Sequence, residues 1–68
     1  MKNLVKELRT AGGLSQADLG DALGVSRQTI IAIERGRYLP SLPLALGMAR
    51  FFSMAIEDIF ILDEKEAR

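Results

Sequence analysis

With 68 residues the chain has room for one domain, which on folding buries only roughly 60% of its unfolded surface and leaves little for a large substrate cleft. Its 49% hydrophobic and 26% charged residues exclude a disordered tail, and the lack of cysteine and histidine removes disulfides, thiolate or imidazole metal sites and the usual nucleophile pairs. The formal net charge is zero but unevenly placed: residues 1–50 carry seven basic and four acidic side chains, residues 51–68 two and five.

Helical periodicity begins at once. Leu4, Val5 and Leu8 form an apolar stripe that Gly12-Gly13 closes, which predicts a first helix over residues 2–11, and Leu14 follows as a core plug. Ser15 is an N-cap with Asp18 three residues on, and Leu19 and Leu23 give the buried face of a second helix, 16–23, stopped at Gly24. Ser26 caps a third helix, 26–35, with Ile30 and Ile33 inward and Gly36 at its end. Tyr38 to Ser41 reads as a loop around Pro40. A fourth helix begins near Leu42 with Pro43 in its first turn and Leu42, Ala45, Met48, Ala49 and Phe52 on its core side. A short fifth helix around Ile56 to Ile59 completes an all-α bundle, and no β-alternation precedes residue 60.

The second and third helices, joined only by Gly24-Val25, form a twenty-residue unit with the apolar, small and turn residues of a helix-turn-helix: Leu19, Leu23, Val25, Ile30 and Ile33, with Gly20 where the helices must pass closely. At 100° per residue Arg27, Gln28, Ile31, Ala32 and Arg35 share the outer face of the third helix. Arg27 suits guanine O6 and N7, and Gln28 suits adenine N6 and N7. Ile31 either touches a thymine methyl group or packs at the edge of the core, and Ala32 lets the helix approach the bases. The expected base-contacting set is thus Arg27, Gln28, Ile31 and Ala32. Phosphate contacts are expected to flank it: Gln16 at the start of the second helix, Ser26 and Thr29 in the first turn of the third, Arg35, Arg37 and Tyr38 around its end, and Lys6 further out. Arg9 and Glu34 lie at the margins of their helices' apolar stripes, where they would pair across the first and third helices as a structural ion pair; a base-reading role is the lesser alternative.

The segments Leu14-Ser15-Gln16-Ala17-Asp18-Leu19, Gly24-Val25-Ser26-Arg27-Gln28-Thr29-Ile30, Ile33-Glu34-Arg35-Gly36-Arg37-Tyr38, Pro40-Ser41-Leu42 and Ile56-Glu57-Asp58-Ile59-Phe60 resemble the Cro/cI-type helix-turn-helix family, also called XRE, in its short stand-alone bacterial form. The resemblance covers residues 2 to about 60. It implies a five-helix DNA-binding domain over residues 1–60 that binds a pseudo-palindromic double-stranded operator as a homodimer and regulates transcription, with repression the expected direction. It also implies that Gln16 contacts phosphate, that Arg27 and Gln28 read bases, and that Arg9 and Glu34 form a recurrent ion pair. Two departures stand out: Ile31 occupies a position that is often polar, and Ser53 and Ala55 stand where a glycine stop and a serine cap are common.

In short relatives the chain after the fifth helix often forms a strand that pairs with its twofold mate. Here Phe60-Ile61-Leu62 would form the dimer interface within a tail of residues 61–68, against the alternative of a frayed terminus. The rival function is a protein-interaction module, such as an antitoxin or a phage-type regulator, acting through a partner protein. No enzyme activity, cofactor, metal or small-molecule ligand is expected, and Glu57 and Asp58 have no cleft to work in. The start lacks the roughly 7 to 15 residue apolar stretch of a signal peptide. No run approaches the ~20 apolar residues of a membrane span. The expected location is therefore cytoplasmic, in bacteria or phage-infected cells and associated with the nucleoid.

Overall fold

In the computed structural model, which describes residues 1–62, the chain runs β1 (Lys2–Asn3), α1 (Val5–Ala11), α2 (Gln16–Leu23), α3 (Arg27–Glu34), α4 (Leu42–Phe52), α5 (Ile56–Ile59) and β2 (Phe60–Ile61). Serine caps set three of the helix starts. Ser15 Oγ accepts from the Asp18 N–H at 3.0 Å while the Asp18 carboxylate accepts from the Ser15 N–H at 3.0 Å, closing a reciprocal capping box. Ser26 Oγ accepts from the Thr29 N–H at 3.2 Å, and Ser41 Oγ from the Leu44 N–H at 3.3 Å. Each cap satisfies an amide that has no partner inside its own helix. Gly24, at φ 74°, ends α2 in the left-handed region, so the cap of α3, Ser26, can follow two residues later.

The five-helix arrangement is the one the sequence predicts, with a two-stranded sheet added. That sheet changes three expectations. The first helix does not begin at residue 2: Lys2 and Asn3 pair antiparallel with Ile61 and Phe60, and the Asn3 side-chain oxygen accepts from the Val5 N–H at 3.1 Å, so α1 starts at Val5. Leu4 then becomes the N-cap and sits exposed rather than in the apolar stripe. The strand expected near the C-terminus is present and pairs along one edge with β1 of the same chain, and it spans both sides of the boundary expected after residue 60. The premise of a lone, unpaired strand is therefore removed. Phe60, expected at the dimer interface, is half-buried against the core, whereas Ile61 and Leu62 are 44% and 53% exposed. The charged segment 63–68, the rest of the expected tail, lies outside the described residues.

Val5, Leu19, Ile30, Ile33, Met48 and Ile59, one or two from each helix, are fully buried and form the core, with Leu8, Leu23, Val25, Leu44, Ala49, Phe52, Met54 and Phe60 packed around them. Burial of each large aliphatic side chain contributes about 1.5–3 kcal/mol. Leu42 departs from expectation: it is 67% exposed at the first residue of α4, one turn before Ala45, where the buried side of the helix begins.

Candidate nucleic-acid interface

The relation between α2 and α3 is set at one glycine. A Cβ on Gly20 would stand 2.7 Å from the Val25 carbonyl oxygen and 3.4 Å from the Ser26 backbone, while the Val25 N–H donates to the Gly20 carbonyl at 2.9 Å. Backbone therefore meets backbone, and α3 leaves the turn at a defined angle.

On α3, Arg27 and Gln28 are exposed, Ile31 and Ala32 half-buried, and Ile30 and Ile33 fully buried, which reproduces the two faces read from helical spacing. Ile31 is not among the side chains packed against the buried core. The first turn of α3 contains no acidic residue, in contrast to Asp18 in α2, so its positive dipole end is uncompensated from within and favours an external anion. The Ser26 and Thr29 hydroxyls lie 3.1 Å apart. One of their two protons serves that bond and the other remains to donate elsewhere.

Arg9 and Glu34 meet across α1 and α3. Arg9 Nε donates to Glu34 Oε2 at 2.6 Å and Nη2 to Oε1 at 3.2 Å, a bidentate fork, while Nη1 donates to the Leu14 carbonyl at 2.9 Å. The two side chains are 9% and 5% exposed. The hydrogen bond to Glu34 raises the Arg9 pKa above its ordinary value; desolvation works against this and the opposite charge adds to it. Every buried side-chain nitrogen and oxygen among the described residues has a hydrogen-bond partner, so the pair is buried at no unsatisfied cost.

Gln16, the first residue of α2, is half-buried, and its Nε2 donates to Glu34 Oε1 at 3.2 Å. Arg9, Ser15, Gln16, Ala17 and Arg27 line one shallow depression. Lys6, Arg35, Arg37 and Tyr38 are all exposed, Lys6 on α1 and the other three after the last turn of α3. The fold therefore brings Gln16, Arg9 and Arg27 to one depression, which Lys6 and the Arg35–Tyr38 group do not line.

Two connections have no signature in the sequence pattern. Asn3 Nδ2 donates to the Ile33 carbonyl at 2.8 Å, tying the N-terminal strand to the last turn of α3. The Gln16–Glu34 bond joins residues 18 apart in the chain. Both depend on how helices cross, which local periodicity does not encode. Among the described residues no cluster of acidic side chains could hold a metal ion, and no helix is long and apolar enough to cross a membrane.

A glycine-locked helix pair with a capped second helix presenting arginine and glutamine defines a DNA-binding helix-turn-helix protein. Residues 5–59 match the helix-turn-helix family HTH_3, and the chain belongs to that family. It is 57% identical over 65 residues to the HTH-type transcriptional regulator YgzD of Bacillus subtilis, covering 96% of this chain and 98% of that one. It is 58% identical over 66 residues to an HTH-type transcriptional regulator of Methanocaldococcus jannaschii, covering 97% and 100%. The fold resembles the crystal structure of the restriction-modification controller protein C.AhdI from Aeromonas hydrophila, with a TM-score of 0.73 and 36% identity over 82% of this chain and 85% of that one.

Proposed function

We propose that this transcriptional regulator acts by binding alone, as a homodimer that lays α3 of each subunit in successive major grooves of a pseudo-palindromic operator, about 34 Å apart, and represses by occupying it. The observation that carries the reading is the exposure of Arg27 and Gln28 on the first turn of a helix whose angle is set by the Gly20–Val25 contact. Arg27 and Gln28 read base edges, Ala32 permits close approach, and the outward part of Ile31 meets a thymine methyl group. Gln16, Ser26, Thr29, Arg35, Arg37, Tyr38 and Lys6 supply backbone contacts that set register without reading sequence.

Residues 1–60 form the DNA-binding domain and the tail from residue 61 holds the dimer. Among the described residues β2 has one strand neighbour and an unpaired second edge, with Ile61 and Leu62 exposed beside it. An open apolar edge favours pairing with a second copy.

Selection of bound sites from random duplex DNA, repeated with Gln28→Ala and Arg37→Ala, tests the roles. Gln28→Ala is expected to relax one base position, whereas Arg37→Ala weakens all sites alike and reduces the salt slope by about 1. Equal effects from the two variants would overturn the assignment, and retention of a partner protein without DNA would favour the interaction-module reading. For the dimer, Ile61→Lys with Leu62→Lys is expected to shift the solution mass from dimer to monomer. A wild-type monomer, alone and on DNA, would exclude that part.

A further inference from the structure

We propose that Glu34 is a positioning residue for DNA binding: its carboxylate, clamped by Arg9, orients the Gln16 amide so that an N–H, not the carbonyl oxygen, is presented to a phosphate. The proposal rests on the reading of Gln16 as a phosphate contact and adds what makes that contact productive. A glutamine amide carries two donors on nitrogen and an acceptor on oxygen, and only the donors suit a phosphate. Left to itself, the amide of an N-terminal helix residue rotates between both presentations.

Glu34 removes that freedom. An ionised carboxylate only accepts, so it takes the nitrogen end of the Gln16 amide and rejects the oxygen end. The carboxylate itself does not turn, because Oε2 receives Arg9 Nε at 2.6 Å and Oε1 receives both Arg9 Nη2 and Gln16 Nε2 at 3.2 Å. It is also closely packed, with 5% of the side chain exposed. Arg9 is anchored in turn through Nη1 to the Leu14 carbonyl, two residues before Gln16. One Nε2 proton is used by Glu34 and the other is left for a ligand in the depression lined by Gln16, Arg9 and Arg27.

This arrangement has a consequence for register. Glu34 is the last residue of α3, the helix that carries Arg27 and Gln28, while Gln16 is the first residue of α2. A single carboxylate therefore ties the phosphate contact to the helix that reads bases.

The test uses the intact chain and a selected duplex in which successive phosphates are replaced by neutral methylphosphonates. Wild type is expected to lose about tenfold in affinity at the phosphate facing Gln16, and Gln16→Ala to be indifferent there. Glu34→Gln, held at a temperature where circular dichroism shows it folded, is expected to lose sensitivity at that same phosphate and at no other. A variant that is merely less stable would keep the wild-type pattern of sensitivities, so full retention in Glu34→Gln overturns the positioning role while leaving the Gln16 contact intact. Retention in Gln16→Ala overturns both. Should Glu34→Gln fail to fold, Arg9→Lys, which keeps the charge but loses the bidentate fork, is read in the same way.

Discussion

Gly20 and Val25 touch through their backbones: the Val25 N–H donates to the Gly20 carbonyl at 2.9 Å, and a Cβ on Gly20 would fall 2.7 Å from the Val25 carbonyl oxygen. Neither atom can rotate away as the end of a side chain could. Gly20→Ala is therefore expected to destabilise the fold by about 1–3 kcal/mol through overpacking, more than the ~1 kcal/mol that alanine gains in helix propensity. Denaturant midpoints of the two proteins decide it, and an unchanged or higher midpoint for the variant would show that the helices separate without cost.

Asp18 supplies a pH signature. Hydrogen bonds from Ser15, backbone first and side chain second, lower its pKa in the folded protein, with slight desolvation opposing. A depressed carboxylate contributes stability that is fully present above its unfolded pKa and is lost as pH falls through the acid range toward the folded value. Asp18→Asn is expected to melt lower than wild type at pH 7, with the gap closing below about pH 4. A gap that stays constant from neutral to acid pH would contradict the charge-linked origin.

Asn3 holds the N-terminal strand to the helical body through two bonds, from Nδ2 to the Ile33 carbonyl at 2.8 Å and from the Val5 N–H to its side-chain oxygen at 3.1 Å. Asn3→Ala strands both partners and is expected to cost about 1–3 kcal/mol. Amide exchange should accelerate at Leu4, whose N–H donates to the Ile59 carbonyl at 2.9 Å. Exchange at the wild-type rate there would mean that β1 and β2 hold without the side chain.

The turn between α4 and α5 is under-optimised at two positions. Ser53 adopts φ 54°, a left-handed conformation that costs a side-chain-bearing residue roughly 1–2 kcal/mol, and Ala55 caps α5 without a side-chain hydrogen bond. Ser53→Gly is expected to stabilise by up to about 1 kcal/mol after the entropy of a glycine is deducted. Ala55→Ser is expected to add about 0.5–2 kcal/mol. Thermal midpoints check both, and DNA affinity well below those midpoints should not change, since neither residue belongs to the proposed interface.

What local chemistry controls was legible in the sequence. The starts of α2, α3 and α4 were marked by Ser15 with Asp18, Ser26 and Ser41, because capping involves residues three apart, and the end of α2 by Gly24. The burial of Leu19, Ile30, Ile33 and Met48 followed from the 3.6-residue period. The candidate reading face was legible for the same reason. Only the tertiary structure decided where the two chain ends meet: Lys2 and Asn3 find Ile61 and Phe60 across the whole chain, in strands of two residues, too short to carry an alternating pattern. That pairing left Leu4 exposed and Phe60 half-buried against the core, and gave β2 a strand partner from the same chain. The linkage of Gln16 to Glu34 is likewise a product of helix crossing. Periodicity says which side of a helix faces inward; the atoms that meet there depend on the distances at which helices pack, which are set by every contact in the core at once.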